Sequence, residues 1–145
     1  MNKKALLILI LLGVILLTGC EFVYNPIFDD GDKVNIKMIK SVIKNLKDYI
    51  EREDIDGLMS IVYPLSPYYL DIENDYTTLF AQHDNIEWNY EITEILLKGD
   101  GTALVIGGYI MMSSYEKENG EIYIVMKQSE MGLWCIYSID LLIFN

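Results

Sequence analysis

Apolar residues recur with two different periods along the chain, which divides it into a helical part and a strand part. Between Val34 and Asp54 they recur at steps of three and four, so they share one face of a predicted helix. That face carries Ile36, Ile39, Ile43, Leu46 and Ile50. Asn35 is the candidate N-cap of this helix, because its side chain can accept a hydrogen bond from a free backbone N–H.

Two shorter helices are expected next. The first spans Ile55 to Tyr63, with Asp54 or Asp56 as its N-cap, and Pro64 ends it because proline lacks the backbone N–H. The second is predicted at residues 74–82, after an irregular stretch around Pro67.

After His83 the pattern changes to alternation, which predicts β-strands. Turns rich in Gly, Asp and Asn separate them. The Gly107-Gly108 pair predicts a bulge or a sharp bend in the second strand. The predicted strands span residues 87–98, 102–115, 121–128 and 133–144, with turns at 99–101, 118–120 and 129–132. Helices followed by an antiparallel meander predict an α+β fold.

The N-terminus carries a sorting signal. Lys3 and Lys4 precede a short apolar run at residues 5–17, which is typical of a secretory signal and shorter than the roughly 20 residues of a membrane-spanning helix. The residues Leu17-Thr18-Gly19-Cys20 that end it resemble the lipobox of bacterial lipoproteins. That resemblance implies cleavage before Cys20 and acyl chains, palmitate among them, on its sulfur. An ordinary signal peptide is the alternative.

The lipobox divides the chain into a signal peptide at 1–19, a tether at 20–33 and a domain at 34–145. The tether has an acidic cluster at residues 29–32, which we interpret as solvated linker in preference to a calcium site. If the 145-residue chain is cut before Cys20, 126 residues remain, enough for one domain with a core.

The mature chain would be strongly acidic. Without Lys3 and Lys4, 9 basic and 22 acidic residues remain, a net charge of about −13, which argues against nucleic acid as a partner. With Cys20 acylated, Cys135 has no partner for a disulfide. Because it lies in the apolar run 133–136, we expect a buried structural thiol.

The order of the predicted elements resembles the NTF2-like, or cystatin-like α+β cone, superfamily. Two stretches carry the resemblance: residues 54–59 followed by Tyr63-Pro64, and Gly132-Leu133-Trp134-Cys135-Ile136 in the last strand. The resemblance spans about residues 35–144. It implies N-terminal helices packed on a curved four-stranded antiparallel sheet, with a cone-shaped pocket, but no particular function.

No catalytic residue, metal site or cofactor is expected. His83 is the only histidine, and one His with one free Cys cannot hold zinc. A calcium loop starting at Asp71 would need Gly at position 76 and Glu at position 82, and neither is present. The side chains expected to line the cone are Tyr63, His83, Trp88, Tyr90 and Tyr109.

These observations predict a lipoprotein anchored to the cell membrane on its extracytoplasmic face. Its domain is expected to be a non-enzymatic module that binds a small ligand or an envelope protein. The alternative is a small pocket enzyme that uses His83 or Asp84 with a tyrosine. A purely structural envelope component is a third hypothesis.

Overall fold

Three helices precede four strands in a computed structural model that describes residues 30–143. The predicted lipobox, the predicted signal peptide at 1–19 and residues 20–29 of the predicted tether therefore lie outside the described residues. The strands form one antiparallel sheet in the order β1-β2-β3-β4, which confirms the predicted α+β meander. The elements are α1 Asp30–Glu51, α2 Ile55–Ser60, α3 Tyr69–Gln82, β1 Glu87–Lys98, β2 Thr102–Met112, β3 Lys117–Gln128 and β4 Trp134–Ile143.

Helix α1 buries the apolar face that its period predicts, including Ile39 and Leu46. It begins earlier than expected, so residues 30–33 of the predicted tether are helical. Asp30 and Asp32 lie in the first turn, where carboxylates interact favourably with the helix dipole. Asn35 is therefore inside the helix and is not its N-cap.

Helix α2 is capped by Asp54, whose side chain accepts a hydrogen bond from the Gly57 N–H at 2.8 Å. The helix ends at Ser60, before the predicted boundary at Tyr63, because the following backbone pairs with β4 instead. The Tyr63 N–H donates to the Ile136 carbonyl at 2.7 Å, and the Ile136 N–H donates to the carbonyl of residue 61 at 2.9 Å.

Helix α3 begins at Tyr69, five positions before the predicted start. The Ser66 hydroxyl accepts a hydrogen bond from the Tyr68 N–H at 3.1 Å and so satisfies a donor at the start of the helix. Pro67 lies just before this helix, where its missing N–H costs nothing.

One predicted turn was wrong. The connection between β2 and β3 lies at residues 113–116, where the Ser113 N–H donates to the Glu116 carbonyl at 2.9 Å. Asn119-Gly120, the predicted turn, lies inside β3. Gly120 allows β3 and β4 to approach each other closely, because a Cβ at this position would fall on the backbone carbonyl of Leu142 in β4.

The sheet is bent by two irregularities in register. The first lies in β1 at Thr93, opposite the predicted bend at Gly107, and the second lies in β4 at Tyr137. Bulges increase the local twist and bend of a sheet. The helices cover the resulting inner face, where Trp88, Val105 and Ile136 are buried with α1 in a single core.

Cys135 is half-buried, which corrects the expectation of a buried thiol. It alternates along β4 with the buried side chains of Trp134 and Ile136, so it lies on the opposite face of the sheet. Burial still raises the pKa of its thiol. No helix between residues 30 and 143 combines the length and the apolar character that crossing a bilayer requires.

Candidate functional site

A cavity of about 420 Å³ lies between α3 and the inner face of the sheet. Residues at helical spacing on α3 form one wall, and the end of β2, the start of β3 and the end of β4 form the other. Five of the lining side chains are apolar and three are carboxylates. The lining residues are Ile72, Asp75, Tyr76, Leu79, Met111, Glu118, Ile139, Asp140 and Leu141.

Tyr109 and Glu118 form a hydrogen-bonded pair beside this cavity. The buried Tyr109 hydroxyl donates to the Glu118 Oε1 atom. Burial raises the pKa of Tyr109, and the bond to Glu118 raises it further, because an ionised phenol could not donate to a carboxylate. Tyr109 is therefore a neutral donor that fixes the Glu118 carboxylate.

Tyr76 supplies a second buried hydroxyl. Its side chain is 7% exposed, lines the cavity and packs against Phe80, with ring centroids 6.1 Å apart. Burial raises the pKa of Tyr76, and the negative charge of Asp75 adds to this effect. Its hydroxyl has no hydrogen-bond partner among residues 30–143.

The charges around the cavity have one sign. Asp75 and Asp140 are exposed at its edge and Glu118 is half-buried, and no Lys, Arg or His from residues 30–143 is among the lining residues. In the part of the chain that the structure describes, no group of three His, Cys, Asp or Glu residues is arranged to hold a metal ion. The cavity thus combines an apolar interior with the neutral Tyr76 hydroxyl, the Glu118 carboxylate and an acidic mouth.

Three of the five predicted pocket residues lie together. Trp88 packs against Tyr90, with ring centroids 5.3 Å apart, and Tyr90 is the cross-strand neighbour of Tyr109. Tyr90 and Tyr109 also line a second cavity, of about 320 Å³, between β1, β2 and β3 around Gly108. Burial raises the pKa of Tyr90, with a smaller contribution from the charge of Asp48.

Tyr63 lies apart from this group. Its ring is next to Tyr137 in β4, with centroids 6.2 Å apart, and the Lys127 Nζ atom lies 5.1 Å from its centre. Tyr63 is absent from the linings of both cavities.

His83 connects the end of α3 to the β2–β3 turn. Its Nδ1 atom lies 3.1 Å from the Ser113 hydroxyl, and its Nε2 atom lies 3.8 Å from a carboxylate oxygen of Glu116. Asp84 is exposed, and its backbone carbonyl accepts a hydrogen bond from the Ser114 N–H at 3.1 Å. Neither His83 nor Asp84 lines the two cavities.

Sequence reasoning missed Tyr76 and Glu118. Glu118 has the same parity as the buried Ile122 and Ile124 of β3, and placing a turn at residues 118–120 hid that relation. Tyr76 follows Ile72 by four positions, the spacing of one helical face, but the predicted helix began too late to include Ile72.

The arrangement of helices on a bent four-stranded sheet is the NTF2-like fold. No protein-family model matches the chain, and a search of curated proteins found no relative. Solved structures match it closely in fold. An NTF-2 like protein of unknown function from Shewanella oneidensis has 14% identity and a TM-score of 0.65, over 74% of this chain and 98% of its own.

Two further structures support the same fold. A ketosteroid isomerase-like protein from Erwinia carotovora atroseptica has 13% identity and a TM-score of 0.61, over 75% of this chain and 95% of its own. A domain of unknown function with a cystatin-like fold from Nostoc punctiforme has 11% identity and a TM-score of 0.63, over 73% of this chain and 75% of its own. Identities this low establish the fold alone.

Proposed function

We propose that the protein is a lipoprotein anchored to the extracytoplasmic face of the cell membrane through Cys20. We further propose that its NTF2-like domain binds a small ligand in the cavity between α3 and the sheet. The signal-like N-terminus and the sequence Leu17-Thr18-Gly19-Cys20 support the anchor. Several acyl chains on one residue give stable membrane attachment, which a single chain does not.

The observation that carries the binding proposal is the composition of the cavity. Its volume of about 420 Å³ falls within the range of small-molecule sites, which are apolar with a few polar groups that fix orientation. Here Tyr76 and the pair of Tyr109 and Glu118 provide those polar groups.

Ligand binding has more support than catalysis by His83 and Asp84. A pocket enzyme that uses His83 and Asp84 would need them beside the ligand, whereas His83 contacts Ser113 and Glu116 and neither residue lines the cavity. We therefore place the ligand against Tyr76 and Glu118.

Labelling with radioactive palmitate tests the anchor. We expect the wild-type protein to incorporate label and the Cys20→Ala variant to incorporate none. Cys135→Ala is the matched control, because it removes the other cysteine of the chain, and it should label like the wild type. Equal labelling of wild type and Cys20→Ala would refute the anchor.

A cavity-filling substitution tests the ligand site. The full chain in lipid nanodiscs is titrated calorimetrically with 2-phenylethylammonium, 2-phenylethanol and 3-phenylpropanoate, with empty nanodiscs as the blank. We expect saturable binding of at least one probe, abolished by Leu141→Trp, since Leu141 lines the cavity. Leu142→Trp is the control, because Leu142 is the next residue of the strand and is absent from the lining. Binding that survives Leu141→Trp, or no binding at all, would refute the site.

A further inference from the structure

The lining of the α3 cavity also indicates the charge of its ligand. Among residues 30–143, the acids that line it are Asp75, Glu118 and Asp140, and the lining includes no basic residue from that part of the chain. An anionic ligand would meet like charges at the mouth and again at Glu118, which disfavours its binding.

We propose that this cavity is selective for an organic cation, a primary ammonium group on an apolar body. The inference rests on the proposed ligand site and adds the chemical class of what it binds. The apolar body would occupy the volume bounded by Ile72, Leu79 and Ile139, and the ammonium would lie at Glu118.

The polar groups Glu118 and Tyr76 in the lining suit an ammonium. Such a group has three N–H donors and no acceptor, so it needs acceptor atoms around it. Glu118 has two carboxylate oxygens, of which one already accepts the Tyr109 hydroxyl. The Tyr76 hydroxyl adds a neutral oxygen that no described residue uses.

The neutral hydroxyls do not by themselves decide the charge of the ligand, because phenol oxygens serve neutral molecules as well. Glu118 decides it. A hydrogen bond with an ionised donor or acceptor is about twice as strong as a neutral one, and an ammonium adds the attraction between opposite charges, which an alcohol lacks. The tyrosine that holds Glu118 is buried, so the carboxylate is positioned before the ligand arrives.

The test compares three probes of nearly equal shape: 2-phenylethylammonium, the neutral 2-phenylethanol and the anionic 3-phenylpropanoate. The full chain in nanodiscs is titrated calorimetrically near pH 7 and at 0.15 M salt, where charges more than about 8 Å apart are largely screened. We expect the ammonium to bind about tenfold more tightly than the alcohol, equivalent to about 1.4 kcal/mol, and the carboxylate to bind more weakly than both.

Two matched substitutions separate the local charge from the overall charge. Glu118→Gln keeps an oxygen that can accept the Tyr109 hydroxyl, and it should remove the preference for ammonium over alcohol. Glu121→Gln changes the net charge equally, but Glu121 bonds to Tyr123 and is absent from the lining, so the preference should remain. Asp140→Asn at the cavity edge is a second lining variant, expected to reduce the preference by a smaller factor.

Failure of this inference is distinct from failure of the ligand site. If 2-phenylethanol or 3-phenylpropanoate binds as tightly as the ammonium, the site stands and cation selectivity is refuted. If Glu118→Gln and Asp140→Asn both fold and both keep the wild-type preference, selectivity does not come from these acids and the inference is also refuted. Absence of binding by all three probes would refute the site and the inference together.

Discussion

Replacing Tyr76 by Phe should make the protein more resistant to alkaline unfolding. Burial raises the pKa of Tyr76 in the folded protein, whereas in the unfolded chain it has the ordinary value near 10. Above pH 10 the unfolded chain therefore releases a proton that the folded protein retains. The free energy of unfolding falls by about 1.4 kcal/mol per pH unit for each such tyrosine.

Near pH 8 the substitution should change stability little, because the hydroxyl it removes has no partner among residues 30–143. Between pH 8 and pH 11, which is one unit above the ordinary pKa, we expect the free energy of unfolding to fall by about 1.4 kcal/mol less in Tyr76→Phe than in the wild type. Tyr109 is retained in both proteins, and burial and Glu118, which contribute most to its raised pKa, are unchanged, so most of its effect cancels from the comparison.

Urea unfolding followed by circular dichroism at pH 8, 9, 10 and 11 measures this difference. Tyr115→Phe is the control, because the Tyr115 side chain is 73% exposed in the β2–β3 turn and unfolding changes its surroundings little. Its pH dependence should follow that of the wild type. If Tyr76→Phe and the wild type lose stability in parallel up to pH 11, the cavity does not exclude the charged phenolate and our account of Tyr76 is wrong.

Three further measurements test the fold. Gly120→Ala should destabilise the protein by about 3 kcal/mol in urea unfolding, as overpacking does, because its Cβ would meet the β4 backbone. Gly108→Ala should cost much less, because the Cβ there would make only an ordinary contact, 3.8 Å from the Gly120 carbonyl oxygen. Asp54→Ala should cost about 1 kcal/mol through the lost cap of α2, and Asp56→Ala, which caps nothing, should cost less. Cys135 in the folded protein should react with a thiol reagent more slowly than in urea at pH 8.5, since burial raises its pKa, and equal rates would contradict that.

The periodicity of apolar residues correctly predicted the helices and strands that bury one face against the core. The three- and four-residue steps of α1 and the alternation of β1 follow directly from which side chains meet the core, so both are recognisable in the sequence. Boundaries set by backbone contacts were predicted less well. Asn119-Gly120 has the composition of a turn, but its glycine lets β3 pass close to β4, a contact that no local pattern reveals.

The same distinction applies to the predicted pocket. Trp88, Tyr90 and Tyr109 share the inward parity of neighbouring strands, and the structure places them together. Tyr63 and His83 lie outside the strands, where strand parity says nothing about position, and they lie elsewhere. Tertiary contacts decided where these two side chains pack.

Helix α1 places the cavity at the opposite end of the domain from the residue at which the helix begins. The start of α1 contacts β4 through Asn35 and Trp134, and its last residue, Glu51, accepts a hydrogen bond from the Trp88 N–H at the start of β1. The cavity lies at that second end, next to Met111, the strand partner of Trp88. A helix of 22 residues is about 33 Å long, so the cavity lies about that far from the start of α1. If Cys20 carries the proposed lipid, the membrane attachment would precede the end of α1 that is farther from the cavity.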